Sequence, residues 1–97
     1  MKDIYIPHLN YRVRVRQLKP HPDLPHAQAW VSADDRNNCT LYLDLKHKLI
    51  AGDVAHELIH VLQAICLNRN MDFRIETEHM AYLMHWLMGE VMGYEWK

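Results

Sequence analysis

Cysteine is scarce: Cys39 and Cys66 are the only two in 97 residues. Two cysteines build no disulfide framework, so a bridge-stapled secreted fold is excluded and both thiols are expected to be reduced. An excess of one charge is missing too, because eleven Lys and Arg face twelve Asp and Glu for a formal charge of -1. General binders of nucleic acid or anionic membrane carry a strong positive excess, and this chain has none. No apolar run has the length needed to cross a bilayer. The opening residues, Met1-Lys2-Asp3-Ile4-Tyr5-Ile6-Pro7, hold no stretch of signal-peptide length. A cytoplasmic protein is therefore expected, with neither nucleic acid nor membrane as a partner. Repeats and low-complexity segments are absent as well.

What is present points to one small domain over residues 1–97. Apolar residues make up 49% of the chain, enough for a single core. Residues 11–18 alternate, with Arg12, Arg14 and Arg16 on one face and Tyr11, Val13 and Val15 on the other, the period of a half-buried strand. The arginine stripe reads as a solvated face. Pro20, Pro22 and Pro25 forbid regular structure in the next segment. Strands are predicted over residues 27–33 and 40–45, joined as a hairpin by the polar turn 34–38. Helical spacing of Val54, Leu58, Val61, Leu62 and Ile65 predicts a helix over residues 48–68, and a last helix follows over 74–92. The expected fold is α+β, a small and mainly antiparallel sheet followed by two helices in the order β-β-β-α-α.

Histidine is abundant, with eight in the chain. Two of them, His56 and His60, stand four apart on the first predicted helix, one turn above the other and away from its apolar face. That spacing lets both imidazoles reach one metal ion. Glu57 lies about 100° round the helix, where its carboxylate reaches a metal-bound water. The pattern His56-Glu57-Leu58-Ile59-His60 arises by accident only about 0.03 times in a chain with this His and Glu content. A catalytic zinc takes three protein ligands and a water. The last helix offers Glu76, Glu78, His79, His85 and Glu90. Glu78 is preferred as the third ligand, because it shares a helical side with the small Ala81. His8, His21, His26 and His47 read as surface or loop residues.

The segment Val54-Ala55-His56-Glu57-Leu58-Ile59-His60-Val61-Leu62 resembles the active-site helix of zincin-class zinc metallopeptidases. Glu78-His79-Met80-Ala81-Tyr82 resembles the glutamate-bearing helix of their gluzincin branch, most of all the short metallopeptidase-like domains of bacterial and phage proteins. The resemblance spans residues 40–90. It implies Zn2+ held by His56, His60 and Glu78, with Glu57 as general base and a peptide or protein as substrate. It further implies that the strand 40–45 is the edge along which the peptide docks. The later tyrosine or histidine that stabilises the transition state in larger gluzincins has no clear match here, and Tyr82 and His85 are the candidate stand-ins. Gln63 stands where the metzincin branch has glycine and no third histidine follows, which excludes that branch.

No second lobe to form the far wall of a peptidase cleft is expected within these 97 residues. A zincin-like module that keeps its metal but works through protein contacts is therefore a rival reading, and a metal-free structural domain is another. Apolar residues lie nearly all round the last helix, which makes its far side a candidate face for a homodimer or a protein partner.

Overall fold

The alternating segment 11–18 decides the architecture. Tyr11, Val13 and Val15 are fully buried, while Arg12 on the opposite face is exposed. In the computed structural model, which describes residues 1–93, this strand is β2 (Tyr11–Gln17). It lies inside a four-stranded sheet with β1 (Lys2–Ile6), β3 (Trp30–Asp35) and β4 (Asn38–Leu43), in the spatial order β1-β2-β4-β3. Two helices follow, α1 (Ala51–Asn68) and α2 (Thr77–Met92). The α+β class and the strands-then-helices order stand, with one strand more than expected at the N-terminus.

Strand β1 is short and ends at Pro7, which opens a single 3-10 turn, Pro7–Leu9. Asn10 closes that turn in the left-handed region (φ 48), a conformation asparagine tolerates, and reverses the chain into β2. The β1·β2 and β3·β4 pairings are antiparallel, as the hairpin between the latter two required. The β2·β4 pairing is parallel, so the sheet is mixed. Strand β4 lies between β2 and β3, which corrects its expected position at the edge. The edges are β1 and β3. The physical reason lies in the proline segment before β3. It carries the chain past the β4 position to the outside, and the hairpin then folds β4 back against β2.

Both helices cover one face of the sheet. Leu41 and Leu43 of β4 meet Val54, Leu58, Val61, Leu62 and Ile65 of α1, while α2 contributes Met80, Leu83, Leu87 and Val91. Burying such side chains stabilises the fold by roughly 1.5–3 kcal/mol each. Both cysteines are free and in this core, and burial pushes the Cys39 thiol up to about 12. At the end of α1 the Arg69 guanidinium donates to the carbonyls of Leu9 (2.8 Å) and Asn10 (2.9 Å), and Cys66 touches Met80 of α2 (3.4 Å). Far along α2, the Glu90 carboxylate meets Lys2 at 2.8 Å. The helices therefore run antiparallel, with α2 on the β1 side and α1 over β4 and β3.

Candidate metal centre

On α1 the apolar stripe turns toward the sheet, and His56 and His60 project from the opposite side, exposed. Glu57 falls between these two directions, since each helical residue adds about 100°. It sits at the margin of the core, 8% exposed. One imidazole nitrogen from each histidine and one Glu57 carboxylate oxygen all lie within 4.8 Å of one another. The two rings stand 5.3 Å apart at 72°.

Two contacts tune this group. Gln63 Oε1 lies 3.1 Å from His60 Nδ1. As the amide oxygen can only accept, Nδ1 carries the proton and Nε2 keeps its lone pair for a metal. The Glu57 carboxylate is 3.9 Å from His56 Nε2 and accepts no hydrogen bond among the described residues. Its oxygens are therefore open to a cation arriving from the hollows that Glu57 lines. Two imidazoles and a carboxylate are a donor set that suits a metal ion. The chain thus carries a group able to hold a metal ion.

Glu57 and His60 also line a groove of about 350 Å³ between α1 and the edge strand β3. Its opposite wall is Val31 and Ala33 of β3, with Leu24 and Ala27 from the proline segment. A second hollow of about 400 Å³ opens beside Asp53, His56 and Glu57. Alanines at 27, 29, 33 and 64 keep the groove wide, because larger side chains there would fill it.

The structure does not bring Glu78 to this group. It stands exposed in the first turn of α2, and none of Glu76, His79, His85 or Glu90 joins the group either. The antiparallel pairing explains this. The start of α2 lies beside Cys66, six residues past His60 and so about 9 Å further along α1. The groove opens on the other flank, toward β3. Tyr82 lines a different hollow, with His8, His79 and Trp86.

The parts played by two residues escaped the sequence reading. Gln63 orients His60, and its only signal was the i, i+3 spacing. His21 read as a plain loop residue, yet it lines the groove. Its Nδ1 accepts the backbone N–H groups of Asp23 (2.9 Å) and Leu24 (3.1 Å), which leaves its proton on Nε2 when the ring is neutral. Nothing short of the folded proline segment reveals that placement. Comparison with known proteins finds no matching family model, no matching curated protein and no matching solved structure.

Proposed function

We propose that this chain is a zinc-dependent metallopeptidase of the zincin type, with His56 and His60 holding the metal and Glu57 acting as general base. The observation that carries the reading is the convergence of these three side chains within 4.8 Å at a groove bounded by an edge strand. An unpaired strand edge offers backbone groups to an extended peptide. Strand β3, rather than β4, is the rail in this reading. A zinc ion held by His56 and His60 would supply Lewis acidity there, acidifying a water and polarising the scissile carbonyl. Glu57 takes the proton from the attacking water as the oxygen bonds to the carbonyl carbon. It passes that proton to the leaving amine as the C–N bond breaks. The small walls of the groove admit a peptide or an unfolded segment.

A second reading rests on the same carboxylate. At 3.9 Å from His56 Nε2, Glu57 is near enough to be a ligand itself, and the group is then a metal-binding module that works through contacts. Glu57→Gln separates the two. A base gives full zinc content with hydrolysis of a denatured protein substrate abolished; a ligand gives loss of zinc. Glu78 joins the centre as third ligand only if zinc draws α2 along α1. Zinc content of Glu78→Ala beside His56→Ala reads that out. Loss in both variants places Glu78 in the centre, and loss in His56→Ala alone leaves it outside. Absence of zinc from the native chain, even when zinc is offered, removes the metallopeptidase reading.

A further inference from the structure

A second pair of imidazoles converges on the other side of the molecule. His8, in the 3-10 turn after β1, and His79, in the first turns of α2, are 71 residues apart in sequence, and their Nε2 atoms lie 2.9 Å from each other. The rings are 5.1 Å apart and tilted by 36°. Each ring thus turns its Nε2 toward the other. Glu76 Oε2 stands 3.9 Å behind His79 Nδ1. At that distance it makes no hydrogen bond to the ring, but its negative charge favours a cation held there. The pair opens into a hollow of about 340 Å³ walled by Ile6, Pro7, Tyr82, Leu83 and Trp86.

We infer that His8 and His79 form a second, independent site for a borderline divalent ion such as Zn2+, which clips the corner after β1 to α2. Two neutral imidazoles meeting nitrogen to nitrogen can share only one proton, so one lone pair is always spent on that hydrogen bond. A metal ion uses both lone pairs. With Zn–N bonds of 2.0–2.1 Å and tetrahedral angles the two nitrogens stand about 3.3 Å apart, a small opening from the observed 2.9 Å. Exposed His8 swings by that amount without disturbing the core. Water completes the coordination from the open side of the hollow. The site lies on the α2 flank, away from the groove of His56 and His60, so the two fill separately.

The test counts zinc on the full chain, stripped with chelator and then dialysed against Zn2+ alone. Two ions per chain are expected in the native protein, one in His8→Ala, His79→Ala or His56→Ala, and none in the His8→Ala/His56→Ala double variant. His8→Gln keeps a hydrogen-bonding partner for His79 but is a poor ligand, and it too should bind one ion. Thermal unfolding in chelator should match the native chain for His8→Gln, and its zinc-dependent rise should be smaller. A zinc count unchanged by both His8→Gln and His79→Ala overturns the inference and leaves the pair a hydrogen bond only. Failure of the first site appears instead as a count unchanged in His56→Ala.

Discussion

Gln63 has one visible task, to accept the Nδ1 proton of His60 at 3.1 Å. Removing such a partner of a metal-bound histidine weakens binding by roughly 10–100-fold, since the ring loses both its orientation and its fixed tautomer. Under the proposed metallopeptidase reading, Gln63→Ala should therefore bind zinc more weakly by that factor in a competition titration, with hydrolysis restored by an excess of zinc. Gln63 is exposed, so the fold itself should not change. At this scale the sequence was legible where one helix does all the placing. His56, Glu57 and His60 are set by the pitch of α1 alone. The roles of Glu78 and His21 depend on how separate segments meet, and no spacing within either segment encodes that.

Between elements, the end of α1 is the busiest junction. Besides the carbonyls of Leu9 and Asn10, the Arg69 guanidinium binds the Arg36 carbonyl at 2.6 Å and Asn37 Oδ1 at 3.0 Å, and its charge lies over the Tyr11 ring. One side chain thus ties the helix terminus to the β1–β2 corner and to the β3–β4 turn. Hydrogen bonds from a charged donor are worth about 1.5–3 kcal/mol each where buried, and less where exposed. Arg69→Met should cost about 2–4 kcal/mol by urea unfolding. Arg69→Lys should recover only part of that, because an ammonium cannot span the same fork of acceptors. This junction explains why the elements were easier to read than their arrangement. Period-two and helical patterns marked β2, α1 and α2 to within a few residues. Strand β1 was missed because its alternation, with Ile4 and Ile6 inward, is too brief beside Pro7. The parallel register of β2 with β4 leaves no local mark, since hydrophobic alternation is the same for either direction.

Across the whole molecule, three aspartates hold three of the connections. Asp35 has its carboxyl held below the usual aspartate value by the Asn37 backbone N–H and by Asn38, in the β3–β4 turn. Asp44 is lowered by hydrogen bonds from Gln17 and His47 between β4 and α1, and Asp72 by those from Arg74 between the helices. A folded-state pKa below the unfolded one favours the charged, folded form. The stability so gained is fully present above the unfolded value of 3.8 and is lost as pH falls through the lower folded values. The apolar core carries no such dependence. Acid should therefore loosen the connections before it disperses the helices. The urea midpoint of the metal-free chain should drop between pH 5 and pH 3 while far-UV circular dichroism without urea changes little. Asp35→Ala should lower the midpoint at pH 7, by less than Arg69→Met because its carboxylate is exposed. The gap between Asp35→Ala and the native chain should narrow as pH falls below 3.8 toward the lowered folded value, since the unfolded carboxyl is protonated first. A gap that stays constant with pH would mean that Asp35 stabilises the turn by its shape and not by its charge.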